Sequence, residues 1–440
     1  MMVRSLPLSR RTLIAGLAGT ALAAGFGFPA TRTQTRTVAL RLQPGTRPLR
    51  DNQPPSPTWA FVDGIEPLIL PQGEFELALT NDLPIPVAAD IRGLLGAAAH
   101  EPLLARPPTA PGATTKLNLS LRQAGTLLLD TRLLGDAGAR ALPVRPLIAR
   151  EAVPVAADRD QVLLIEDWRL AADGTATAPG RDPAATPVLF TINGRPSLDL
   201  AVAQNERLRF RIINGCQRAV IALKIDNHDV RVMAIDGQPA EPFIARNSQV
   251  VLAPGTRIDA VVDMTGAPSG IFAIQLHDGT APRPLARLVY GDKPRPLTAP
   301  LLATEPFPSN GLPEKLDLRN ALRVDLPLDV RTSTEAAGWA SPASFSATRA
   351  PVFRTKRGRV VVLALINRTS SAVMFRLHGG PFRLLDRLDD GWKPFWLDTL
   401  ILDAQQTHRI AFAATPGAWL LETAGTDWSA PRLVQWYAVD

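Results

Sequence analysis

The chain has 440 residues, a hydrophobic content of 46% and a formal net charge of +7, from 48 Lys and Arg against 41 Asp and Glu. That length admits about three domains of ordinary size, and the hydrophobic content excludes a disordered chain. So modest a charge gives no reason to invoke nucleic acid, and a single cysteine, Cys216, excludes an internal disulfide.

Arg4, Arg10 and Arg11 precede a nearly uninterrupted apolar run from Leu13 to Phe28, and no acidic residue stands before Asp51. A basic stretch, a short apolar run and then small residues make a cleavable export signal over residues 1–32. The run falls short of the roughly 20 apolar residues that a membrane span needs. Ser9-Arg10-Arg11-Thr12-Leu13-Ile14 matches the twin-arginine pattern, which predicts Tat export to the periplasm and cleavage between Ala24 and Thr33. After cleavage the chain is expected not to be an integral membrane protein.

Helix signals are scarce in the remainder. Phe75–Leu79, Leu208–Ile212 and Val360–Leu365 are short strand-like runs bounded by turn residues, and 41 prolines punctuate the chain. Alternation of this kind predicts β-sandwiches, and so many prolines suit loops and strand edges better than helix interiors. A weak repeat runs through the chain. Gln72-Gly73-Glu74 leads a strand ending at Thr80-Asn81, Gln204-Asn205-Glu206 one ending at Ile213-Asn214, and Arg357-Gly358-Arg359 one ending at Ile366-Asn367. Three copies imply three sandwiches, with boundaries expected at 34–153, 154–294 and 295–440. The Pro-rich stretch from Lys293 to Pro308 reads as the linker into the third.

On these motifs the chain resembles the three-domain multicopper oxidases from about Ala60 to the C-terminus. The middle domain carries the most similar stretches, Thr191-Ile192-Asn193-Gly194-Arg195, Arg207 to Asn214, Met233 to Pro239 and Leu252 to Asp259. The resemblance implies an all-β fold of three cupredoxin-like Greek-key sandwiches behind an export signal. It also implies four His-x-His pairs around a trinuclear copper cluster. Residues two apart in a strand point to one side, so each pair would aim two imidazoles at one cavity. The corresponding positions here are Asp90 and Arg92, Asp130 and Arg132, Arg376 and His378, and Glu422 and Ala424. Only His378 is a histidine. The type 1 copper positions correspond to Val373, Thr423, Trp428 and Leu433, which offer no thiolate and no imidazole.

Three arginines against three carboxylates at positions sharing one cavity predict an ion-pair network of Asp90, Arg92, Asp130, Arg132, Arg376 and Glu422, because the planar guanidinium fork binds carboxylate through paired hydrogen bonds. Ordinary surface charges that drifted in are the competing explanation, and a small anion held by the arginines is a third. His100, His228, His277 and His408 form no ligand pair and read as surface or hydrogen-bonded residues. Asp389, Asp390, Asp398 and Asp403 read as turns and solvated strand faces. No nucleophile elbow, phosphate loop, zinc pair or dinucleotide fingerprint stands in a convincing context.

The resemblance therefore implies a non-catalytic periplasmic protein with no expected metal ligands, catalytic residues or copper cofactor. It is similar in kind to the Tat-exported, copper-free SufI/FtsP-type cell-division proteins, whose Gly-Trp-Lys has a counterpart in Gly391-Trp392-Lys393. The expected role is a scaffold or envelope accessory with an unidentified envelope or division partner and no nucleic acid. The alternative is a copper-dependent, laccase-like oxidase that uses atypical ligands on a reducing substrate with oxygen as acceptor.

Overall fold

The computed structural model describes residues 36–180, 186–294, 304–328, 338–386, 391 and 393–440. The expected export signal, part of the linker, Asp389, Asp390 and Trp392 lie outside these residues. Residues 36–440 form one compact unit.

The first sandwich runs through β1 (Arg36–Arg47), β2 (Ser56–Phe61), β3 (Leu68–Leu70), β4 (Gly73–Asn81), β5 (Asp90–Arg92), β6 (Thr114–Leu121), β7 (Gly125–Asp130) and β8 (Val144–Ala149). One sheet has the order β2-β1-β4-β6 and the other β3-β8-β7-β5. The second comprises β9 (Arg159–Trp168), β10 (Leu189–Ile192), β11 (Leu198–Val202), β12 (Arg207–Asn214), β13 (Ile221–Ile225), β14 (Arg231–Ile235), β15 (Gln238–Ile244), β16 (Gln249–Leu252), β17 (Arg257–Asp263), β18 (Ile271–His277) and β19 (Pro282–Tyr290). Its sheets are β10-β9-β12-β17-β14-β15 and β11-β19-β18-β13-β16. The third comprises β20 (Leu322–Leu328), β21 (Arg354–Thr355), β22 (Val360–Asn367), β23 (Val373–Leu377), β24 (Arg383–Leu384), β25 (Thr399–Leu402), β26 (Thr407–Ala413), β27 (Gly417–Gly425) and β28 (Arg432–Val439). Its sheets are β20-β22-β26-β24 and β21-β28-β27-β23-β25.

The repeated motif builds the same device three times. β4, β12 and β22 each pair in parallel with the opening strand of their sandwich, β1, β9 and β20, and antiparallel with β6, β17 and β26 on the other side. The terminal asparagine then pins the chain as it leaves the sheet. Asn81, Asn214 and Asn367 each accept a backbone N–H from two residues on, at Leu83, Cys216 and Thr369. Each also donates its amide to a nearby loop carbonyl, at Ile85, Ala219 and Ser371, and to a carbonyl from a distant segment, at Thr109, Leu252 and Leu402. Asparagine carries both an acceptor and two donors, so one side chain satisfies backbone groups that burial would otherwise orphan.

The polar faces of several strands are interfaces and not solvent faces. All eight residues of β12 are buried. Leu208, Phe210 and Ile212 enter the core, while Arg209 and Arg211 point the other way and pair with Asp259. Thr126 of the first sandwich closes this cluster by donating to Asp259 at 2.6 Å.

A buried charge network as candidate site

The third sandwich presents the alternate residues of β23 and β27 to its neighbours. Val373, Phe375 and Leu377 point into the core. Met374, Arg376 and then His378 take the opposite side, where Arg376 stands directly across from Glu422. In the first sandwich Asp90 stands directly across from Asp130, with Arg92 on the same side as Asp90.

These side chains meet. Arg92 donates from Nε to Asp130 at 2.7 Å and approaches Glu422 at 3.5 Å. Arg132 donates to both oxygens of Asp130, each at 2.8 Å. Arg376 pairs with Asp90 and lies 3.4 Å from Glu422. The six residues form one chain of contacts from Arg132 through Asp130, Arg92, Glu422 and Arg376 to Asp90. Arg92, Arg132 and Glu422 are each only 1% exposed.

Three further residues complete the cluster. Arg432 pairs with Glu422. His378 sits between two carboxylates, with Nδ1 at 2.7 Å from Glu101 and Nε2 at 3.4 Å from Glu422. Glu101 in turn accepts the backbone N–H of Leu420, and the His378 carbonyl accepts from the Tyr437 hydroxyl. Sequence reasoning did not find Arg432 or Glu101, because neither stands at a position the resemblance marks. Arg432 stands opposite Ala424 in the ladder, where a small neighbour leaves room for a guanidinium, a register that the sequence alone does not display. Ala424 itself carries no charge and packs against Met374 and Ala253.

Four arginines and His378 thus face four carboxylates, all of them buried except the partly buried Asp90. Burial alone would push Asp130 and Glu422 up, but the guanidiniums around each hold both well below the usual carboxylate range. Asp90 is lowered too: burial opposes this, and Arg376, His378 and Arg92 outweigh it. Burial and Arg376 press His378 down, yet Glu101 and Glu422 raise it to about 9. Glycine at 255 lets the backbone approach this cluster, since a Cβ there would strike the Arg92 guanidinium.

The network also ties the sandwiches together. Arg132 donates from Nη1 to the carbonyls of Gly215 and Cys216 in the middle sandwich. Asp136 of the first accepts from Arg218 of the second and from the Arg432 backbone N–H of the third. Asp398, read from the sequence as part of a solvated acidic group, is instead buried and held by Arg257 of the middle sandwich at 2.7 Å. Its own N–H donates to Asp236. An isolated acidic residue in a loop gives no sequence sign of which neighbour it will meet.

At the positions where the resemblance expects the type 1 ligands, Val373 and Leu433 lie in the hydrophobic core. Thr423, opposite Leu433 in the ladder, donates to the Met374 carbonyl. Trp428 lies under the Arg169 guanidinium at 5.3 Å. His228 bonds the Asp226 carbonyl and the Tyr290 hydroxyl.

Copper sites of the kind the resemblance implies need a thiolate and several imidazoles with free lone pairs. Guanidinium groups have none to give, and both nitrogens of His378 face carboxylates. Among the described residues no three His, Cys, Asp or Glu side chains converge as a metal-ligand set. The arginines and engaged carboxylates at the positions the resemblance marks are not the imidazole and thiolate donors that such a site uses.

The chain itself is similar to known proteins. Two multicopper oxidase family models match residues 159–292 and 320–432, together more than half of the chain. Laccase-1 of Thanatephorus cucumeris is 29% identical over 158 residues, which cover 32% of this chain and 27% of the laccase. Laccase-7 of Arabidopsis thaliana is 32% identical over 114 residues, covering 23% and 20%. The chain therefore spans only about a quarter of the length of the curated laccases it matches. Among solved structures, a multicopper oxidase from Pseudomonas thermotolerans superposes with a TM-score of 0.78 at 22% identity, over 92% of this chain and 99% of that one. Lac15 from a marine microbial metagenome gives 0.75 at 23% identity, over 91% and 100%. These structures share the fold, the family models share the sequence pattern, and the chain belongs to the multicopper oxidase family.

Proposed function

We propose that this is a copper-free member of the family, a non-catalytic periplasmic protein exported by the Tat pathway, with a scaffolding or envelope-accessory role akin to that of the SufI/FtsP-type division proteins. One observation carries the copper-free reading. Glu422, at a former ligand position, is engaged by Arg92, Arg376, Arg432 and His378. A copper ion there would meet cations in place of neutral donors, and electrostatic repulsion would oppose its binding. The apolar and hydroxyl side chains at Val373, Thr423, Trp428 and Leu433 support the same reading, because no soft anionic ligand stands where electrons would enter. The scaffold role is drawn from the resemblance to the copper-free division proteins, which includes Gly391-Trp392-Lys393.

The test is metal analysis of the mature protein after incubation with Cu(II) and removal of free ion. Less than a tenth of an equivalent of copper, a colourless solution and an unchanged unfolding midpoint are expected. Near-stoichiometric copper with the intense visible band of a thiolate-bound or cluster-bound cupric ion would return the chain to the oxidases.

A further inference from the structure

A cavity of about 350 Å³ opens beside the charge network, lined by residues of all three sandwiches. Its apolar wall comes from Leu94, Leu95, Leu121, Leu127, Leu312 and Trp396. The Arg383 guanidinium lies over the Trp396 ring at 4.4 Å. The segment carrying Leu312 is itself anchored. Asn310 donates to the Gly237 carbonyl and to Gln238, and its carbonyl accepts from Gln123. The polar edges of Gln123 and Gln238 are thus engaged in holding the wall. Where Gly125 meets Gly237, a Cβ would lie 2.8 Å from the Gly237 oxygen, so bare backbone keeps that side of the cavity narrow.

Among the described lining residues Arg122 is the one charged group. It is exposed at the rim. Its Nε is fixed on the Ser120 hydroxyl at 3.1 Å, which leaves the two Nη groups of the fork for a planar anion. An apolar body of about a dozen non-hydrogen atoms suits a cavity of this size, and a carboxylate head suits the rim.

We propose that this cavity binds a medium-sized apolar carboxylate, its tail against the leucines and Trp396 and its head on Arg122. The site is separate from the charge network and does not depend on whether the protein carries copper.

Isothermal titration of the mature protein with dodecanoate, kept below its micellar concentration, tests this. Saturable 1:1 binding is expected, with dodecyltrimethylammonium at least tenfold weaker. Arg122→Gln should weaken dodecanoate about tenfold, the effect of losing one charge-assisted contact. Leu95→Trp, which fills the cavity, should abolish binding while the circular dichroism spectrum is retained. Should that variant fail to fold, Ala413→Phe grows into the same space from the half-buried end of β26. No saturable binding by the parent protein, equal binding of the cationic amphiphile, or full binding by a folded cavity-filled variant would each overturn the proposal.

Discussion

Asp90 and Asp130 stand directly opposite each other in the ladder between β5 and β7, a placement that ordinarily destabilises a sheet. Each carboxylate here has a guanidinium to meet it: Arg376 from the third sandwich for Asp90, and the nearby Arg92 and Arg132 for Asp130. The pairing makes each member depend on the others, because a buried charge left alone bears its full desolvation cost.

Removing one partner should therefore be severe. Asp130→Asn and Arg92→Met are each expected to lower the unfolding free energy by about 3–5 kcal/mol. The exposed pair of Arg41 and Asp82, of similar geometry at 2.9 Å, supplies the contrast, and Arg41→Met should cost no more than about 1 kcal/mol. Urea unfolding of the three variants measures the difference. Equal losses at the buried and exposed pairs would remove the network as a structural element.

Stability should also fall on both sides of neutrality. His378 is raised to about 9 from an ordinary 6.5, so its contribution is fully present below about pH 6.5 and is lost as pH rises through about 9. Asp130 and Glu422 are held low, so theirs is present above the ordinary carboxylate range and disappears as pH falls through their depressed values. Unfolding free energy measured from pH 6 to pH 10 should decline, and His378→Gln should flatten that alkaline decline while leaving the acid limb in place.

The three strand-ending asparagines make equivalent bonds, so they should respond alike. Asn81→Ala, Asn214→Ala and Asn367→Ala each strand buried backbone groups, at a cost of roughly 1–3 kcal/mol. Replacement by Asp keeps the acceptor but loses the amide donors, and should recover little. A large loss at one position and none at another, read from thermal unfolding, would mean that the repeat is not one device used three times.

Export supplies an independent test. Arg10→Lys together with Arg11→Lys keeps the charge of the leader and removes the twin-arginine pair. The precursor should then accumulate in the cytoplasm, as read by fractionation and immunoblot. Unchanged periplasmic yield would point to another export route.

The strands and the three terminal asparagines were legible in the sequence because turn residues, alternating runs and Asn obey local rules. The six charged residues at the ligand positions were legible only through likeness to a family. What stayed hidden was depth. Arg209, Arg211 and Asp398 look like solvent-facing charges in a strand or loop, yet each is buried against another sandwich. Alternation tells which residues leave the core of one sheet and nothing about whether water or a second sandwich waits on the other side. Glu101 was missed for the same reason, since His378 and Leu420 lie far away along the chain, while Arg432 stands ten residues from Glu422 at a position the resemblance does not mark.

The carboxylate of Asp136, shared by a side chain from the middle sandwich and a main-chain amide from the last, bears on how the molecule can be divided. Separating the first sandwich would strip that oxygen of both counterparts, separating the last would remove one of them, and either cut would leave faces studded with stranded guanidiniums. Fragments should be insoluble when produced singly, and the intact chain should melt in a single step. A fold that looks modular on paper would then behave as an indivisible body.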